Sequence, residues 1–134
     1  MFEGIDGEVI GDFGLSGGGA AGIELDAADV ALGTPPHALV VACSERHSDL
    51  YLVTPEDMLD PVPGLGGSES ELIRADVVFF ETPAGGAVFS TGSIAWAGSM
   101  AWNGYRNDVA RLTANVLQRF LDPRPFITPA GSSG

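Results

Sequence analysis

The sequence predicts a layered α/β domain, and three stretches carry the prediction. Residues 37–43 (HALVVAC) form an apolar run of strand length. Residues 75–81 and 87–92 are two β-rich segments separated by five residues, and 108–121 repeats its apolar side chains at helical spacing.

In chain order, EVIGDF at 8–13 reads as a short strand, and the glycines between 14 and 22 end any regular pattern after it. The run 37–43 has almost no polar side chain, as expected of a central strand buried on both faces of a layered sheet. Its C-terminal end opens into the loop SERHSD at 44–49, the place where open α/β sheets usually put their ligands. Two prolines and three glycines make 61–69 (PVPGLGGSE) a surface loop.

The segment ADVVFFE, the turn TPAGG and AVFSTG form a β-hairpin by length and composition. Over 108–121, Val109, Leu112, Val116, Leu117 and Phe120 recur on one side of a helix and so predict its core stripe, while Arg111, Asn115 and Gln118 face away. Asn107 is a good N-cap, Asp108 suits the positive end of the helix dipole, and Pro123 stops the helix. The domain is therefore expected at 1–122, followed by a flexible tail at 123–134 with too little apolar material to fold alone.

With 134 residues, 45% of them hydrophobic and a mean hydropathy of +0.20, the chain suits one domain with a real core. No apolar run approaches the roughly 18 residues of a membrane-spanning helix, and MFEGIDGEV lacks the basic and apolar regions of a signal peptide. A cytoplasmic location is expected, in keeping with a lone cysteine, Cys43, that has no internal disulfide partner. Eighteen acidic against six basic side chains give a net charge of -12. A surface of that sign repels phosphate backbones and anionic headgroups, which argues against nucleic acid and membrane as partners.

The stretch SGGGAAGIELD at 16–26 admits three readings. Gly17 to Gly22 spells G-x-G-x-x-G, with the acidic Glu45 after an apolar run about twenty residues on, which is the outline of a dinucleotide-binding loop. Glu24, Asp26 and Asp29 follow at once, however, where a bound phosphate needs bare N–H groups. At about 5 Å and an effective dielectric near 20, each such like charge costs about 3 kcal/mol. Pro35 and Pro36 also come too soon for a long crossover helix. The same acids would serve as a favourable charge at a helix start, or Glu24 would be the carboxylate of an acidic site scaffolded by the glycines.

Taken together, EVIGDFGLSGGGAAGIELD, LGTPPHALVVACSERHSDLY and ADVVFFETPAGGAVFSTGSIAWAGSMAWNGY, with the helix after them, resemble the C-terminal part of the N,N-dimethylformamidase large (beta) subunit family over about 1–121. More distantly, the hairpin-to-helix ending is similar to glutamine-amidotransferase-like domains such as the trehalose-utilisation proteins. That likeness implies a partial flavodoxin-like (class I glutamine amidotransferase-like) sheet. The family resemblance implies an amidohydrolase that converts a small N-substituted formamide to formate and an amine. It also implies a mononuclear iron held by two tyrosines and a glutamate upstream of the matched region, so no cofactor or metal is assigned here; Tyr51 and Tyr105 are this chain's only tyrosines. Without that upstream part, the chain is expected to be a fragment or a domain needing a companion subunit, to self-associate through an unpaired sheet edge, and to meet a small amide substrate if active. A non-catalytic remnant or oligomerising subunit of the same fold is the rival reading, and a nucleotide-binding domain a distant one.

Candidate site residues follow from both lines of reasoning. Glu24 follows a loop without obstructing side chains, where its carboxylate could orient or deprotonate water, and the resemblance places its motif toward the family's cavity. His47, just past the strand, could act as acid, base or donor to a substrate oxygen, or be an ordinary loop histidine; Asp49 could fix its tautomer or cap the next turn. The resemblance implies glycine where Arg46 stands. Cys43, inside an apolar run, is expected to be buried and unreactive. In 93–107, Trp96 and Asn103 are the candidate substrate-binding residues, in a segment with Trp102 and Tyr105 that would otherwise form a subunit interface or pack internally.

Overall fold

The computed structural model describes residues 1–14, 18–53 and 66–126. It holds a three-stranded sheet and two helices: β1 (Leu39–Cys43), β2 (Asp76–Glu81), β3 (Ala87–Ser90), α1 (Ala95–Met100) and α2 (Asp108–Leu121). The strand order is β1-β2-β3, and both pairings are antiparallel. The hairpin lies where its composition places it, with Gly85 at φ +84 in the turn and the Thr82 N–H donating to Gly86 at 2.8 Å.

β2, not β1, is the central strand. Asp76 to Val78 are buried, whereas Leu39, Val40 and Cys43 are exposed and no strand among the described residues pairs with the outer side of β1. The apolar run at 37–43 is therefore an edge, and it carries a bulge. Leu39 pairs with Phe79 and Val40 with Val78, but Ala42 pairs with Val77 and Cys43 with Asp76. The extra residue puts both Val41 and Ala42 against the core, and Cys43 stands exposed instead of buried. Mixed α/β composition holds, but the sheet is antiparallel. Residues 8–13 form no strand; Ile10 and Phe13 are half-buried and pack against the core from an irregular segment.

α2 begins as the sequence predicts. The Asn107 side chain accepts from the Ala110 N–H at 2.9 Å, and its amide donates to the carbonyls of Met100 and Trp102. Val109, Leu112 and Val116 enter a buried cluster with Val77, Trp96 and Ala20. Leu117, eight residues past Val109, lies at the margin of that stripe and is 57% exposed. Phe120 instead meets Phe126, whose ring also contacts Phe79 and receives the Arg119 guanidinium at 3.8 Å. The start of the expected flexible tail is thus docked on helix and sheet; 127–134 lie outside the described residues, as do 61–65 of the expected surface loop.

α1 occupies a stretch that sequence alone leaves as loop. It buries Ala95, Trp96 and Ser99, and Trp96 donates its indole N–H to Thr113 on α2 at 2.9 Å. The turn that follows passes through left-handed backbone at Asn103, Gly104 and Tyr105 before α2 starts.

Candidate functional site

The Gly-rich segment folds back onto the core. The Ala20 N–H donates to the Gly11 carbonyl at 2.8 Å, and a Cβ on Gly11 would fall 2.6 Å from that of Ala20, so only glycine permits this approach. No helix lies between 18 and 38. The helix N-terminus that a dinucleotide loop needs is missing after Gly22, and the helix-start reading of Glu24 fails for the same reason. Gly17 itself lies outside the described residues.

Residues 22–29 are instead pinned across the start of β2. The Ser93 hydroxyl donates to the Ile23 carbonyl, the Asp26 N–H donates to Gly92, and the Asp26 carbonyl accepts from the Asp76 N–H at 3.0 Å. Asp76, nearly inaccessible, accepts from the Ala28 N–H at 2.8 Å and from the Arg74 guanidinium at 3.1 Å. Between these ties Glu24 adopts φ +50, a left-handed conformation uncommon for a residue with a Cβ. Its side chain is exposed and lines neither of the hollows described next.

Two hollows meet along the loop after β1. One, of about 830 Å³, runs between 43–47 and 67–74; the other, of about 630 Å³, lies between 43–47, the 18–21 segment and Trp96. His47 borders both. Its Nε2 stands 2.7 Å from the Ser44 hydroxyl, its ring meets the Tyr51 ring at 5.0 Å, and partial burial lowers its pKa below the usual imidazole value. Tyr51 donates its phenol to the Gly22 carbonyl at 2.6 Å, tying this loop to the end of the Gly-rich segment. Arg46, at φ +57, makes the turn that returns His47 toward Ser44. The chain passes closely behind it: a Cβ on Gly67 would lie 2.5 Å from the Ser48 carbonyl oxygen and 2.8 Å from His47 backbone.

Asp49 does not orient His47 in any described contact. It accepts from both the backbone and the hydroxyl of Ser68, which hold its carboxyl below the usual range. Of the other candidates, Trp96 is 6% exposed, belongs to the core and lines the smaller hollow. Asn103 is exposed on the turn before α2, where its amide donates to the Arg106 carbonyl at 3.2 Å. Thus the fold brings His47 and Trp96 to one hollow and leaves Glu24 and Asn103 outside it. Ser44 and Tyr51 are the site residues that sequence reasoning missed; a hydroxyl three residues before a histidine at a strand end was the available signal.

The described residues offer no set that fits the iron which the resemblance implies. The Tyr51 phenol is given to Gly22, Tyr105 is 68% exposed, and among the described residues no group of three or more His, Cys, Asp or Glu side chains could hold a metal ion. Nor is any helix among them long and apolar enough to cross a membrane.

Comparison with known proteins gives a consistent answer. Residues 1–108 match the family described as N,N-dimethylformamidase beta subunit-like, C-terminal. The chain is 51% identical over 130 residues to the N,N-dimethylformamidase beta subunit of Paracoccus aminophilus, covering 95% of this chain and 17% of that protein. It is also 51% identical over 126 residues to the protein of the same name from Alcaligenes sp, covering 93% and 16%. The chain therefore spans about a sixth of the length of these relatives. With a family match over 108 of its 134 residues, it belongs to the N,N-dimethylformamidase beta subunit-like, C-terminal family.

Proposed function

We propose that this chain is the C-terminal module of an amidohydrolase acting on small N-substituted formamides, contributing cavity residues and no metal ligands, with iron held by an upstream part of the protein. The observation that carries the reading is the 51% identity to two beta subunits of that name over nearly the whole chain, combined with a histidine-bordered hollow beside the family's Gly-rich segment. The reaction adds water to the formyl carbon, moves its proton to a base, and breaks the C–N bond as the amine takes a proton. His47 would meet the carbonyl oxygen or a transferred proton. Glu24 would serve as the base once the rest of the protein closes over its exposed, backbone-pinned position; Trp96 would wall the substrate hollow, and Asn103, which stands outside it, would contact substrate only through the same closure.

A companion subunit or a second copy is the proposed partner, acting in the cytoplasm. The exposed edge of β1, with Leu39 and Val40 on it, supports this: unpaired strand edges favour pairing. In the complete protein that edge would continue into the flavodoxin-like, glutamine-amidotransferase-like sheet which the resemblance implies. A non-catalytic, oligomerising role rests on the same edge.

The test is a chimera in which this chain replaces the matching segment of the Paracoccus aminophilus beta subunit, assayed for hydrolysis of dimethylformamide. Activity is expected, with kcat lowered roughly 10²-fold or more by Glu24→Gln and by His47→Gln. An active chimera unaffected by both substitutions would assign the chain to the structural reading.

A further inference from the structure

We infer that Ser44 is a positioning residue which holds the His47 imidazole in the tautomer with Nδ1 protonated and Nε2 bare. The functional consequence rests on the proposed reading of His47 as a substrate-facing group; the tautomer itself does not.

The Ser44 hydroxyl has one proton to give and two lone pairs to receive with. Ser44 is the first residue after β1, and its backbone N–H donates to the Ala75 carbonyl at 2.9 Å. The Ala75 N–H in turn donates to Ser44 Oγ at 2.7 Å, which fixes the oxygen and occupies one lone pair. His47 Nε2 lies 2.7 Å from the same oxygen.

Two arrangements are open. If Nε2 carried the proton, both lone pairs of Oγ would be filled and its own proton would have to turn away from the imidazole toward the hollows that Ser44 lines, since the described residues supply no second acceptor. If Ser44 donates to a bare Nε2, all three groups are satisfied. The second arrangement matches the hydroxyl proton and Nε2 to each other and leaves the Nδ1–H of the half-buried ring as the group still open to a partner.

The ring is also packed against its neighbours. It packs edgewise with the Tyr51 ring at an interplanar angle of 63°, and the close approach of Gly67 closes the space behind the His47 backbone. Burial favours the neutral imidazole, so the single ring proton resides on Nδ1 over the neutral range.

This assignment decides what His47 can do. A neutral ring whose Nε2 is engaged by Ser44 presents an N–H donor at Nδ1, suited to polarising an amide carbonyl oxygen. It is not free to take the proton from attacking water. The proton from water then falls to a carboxylate, the role proposed for Glu24.

Ser44 would thus separate the two roles.

Long-range proton–nitrogen correlation spectra of the uniformly 15N-labelled chain read the tautomer directly, well above the His47 titration. The expected spectrum shows a protonated, pyrrole-type Nδ1 and a pyridine-type Nε2 for His47. Ser44→Ala should move the populations toward the Nε2–H form that free imidazole side chains favour in water, and Ser44→Thr, which keeps the hydroxyl, should restore Nδ1–H. A wild-type ring protonated at Nε2 overturns the inference without need of any variant, and so does a tautomer indifferent to Ser44→Ala. In the chimera, Ser44→Ala is expected to lower kcat with KM little changed and Ser44→Thr to recover it. A Ser44→Ala chimera of full activity whose tautomer has nonetheless switched would leave the assignment standing and sink the catalytic reading of His47.

Discussion

The carboxylate of Asp76, at the first position of β2, accepts a hydrogen bond from the Ala28 N–H at 2.8 Å across 48 residues of chain. The same carboxylate is met by Arg74, two residues before it, so one buried group fastens the segment after the Gly-rich loop to the central strand. Asp76→Ala would strand the Ala28 N–H and the half-exposed guanidinium. The expected loss is about 2–4 kcal/mol, measured by urea unfolding. Asp76→Asn, which keeps the shape and one acceptor, should lose less.

The His47 pKa is lowered by burial, so the native state binds its proton less readily than the unfolded chain does. The stability linked to this group is therefore present above the ordinary imidazole value of 6.5 and is lost as pH falls from there through the lower folded value. Melting temperatures followed from pH 8 to pH 5 should fall more for the wild type than for His47→Gln. Parallel curves would show that His47 titrates alike in both states. Asp49 acts in a lower window: Ser68 depresses its pKa below 3.8, so its contribution disappears only as pH falls beneath that value.

Gly67→Ala places a methyl group among the backbone atoms of His47 and Ser48, which cannot move aside as a side-chain tip would. A loss of about 1–3 kcal/mol is expected, with chemical-shift changes concentrated at 44–51. Gly85→Ala is the matching control, because its Cβ would meet nothing within 4 Å and only the left-handed backbone of the hairpin turn is taxed.

Along α2, burial rather than residue type should set the response to truncation. Leu112→Ala, at a position with 0% exposure, is expected to lose about 2–5 kcal/mol. Leu117→Ala, on the exposed margin, should stay within about 0.5 kcal/mol. Comparable losses at both sites would mean that Leu117 is covered in solution, as by a second copy of the chain.

The hairpin and α2 were legible because each has a local cause: alternating β-rich segments around a Gly-containing turn, and a capped 3.6-residue periodicity. The role of 37–43 was not. An apolar run looks the same in a central strand and in an exposed edge, and nothing local announces the bulge that turns Cys43 outward. AWAGSM hides α1 because six residues are too few to show a period. The candidate site was half legible. His47 at a strand end and the close-packed glycines were visible in sequence, whereas the left-handed Glu24 backbone and the Ser44 contact with Ala75 depend on residues 31 to 70 positions away.

The bulge in β1 also uncouples chain length from loop position. Because two residues of β1 face one of β2 between Val40 and Ala42, removing Val41 would let Val40 and Ala42 follow one another opposite Val78 and Val77 without shifting Cys43 or Ser44. The strand would lose its local bend and one core side chain, but the pair that seats His47 would keep its place. β2 has no such slack: each of its residues from Val78 to Glu81 has a single partner on β3, and a deletion there would invert every side chain beyond it. Insertions and deletions of one residue among related sequences should therefore be tolerated at 40–42 and excluded from 76–81.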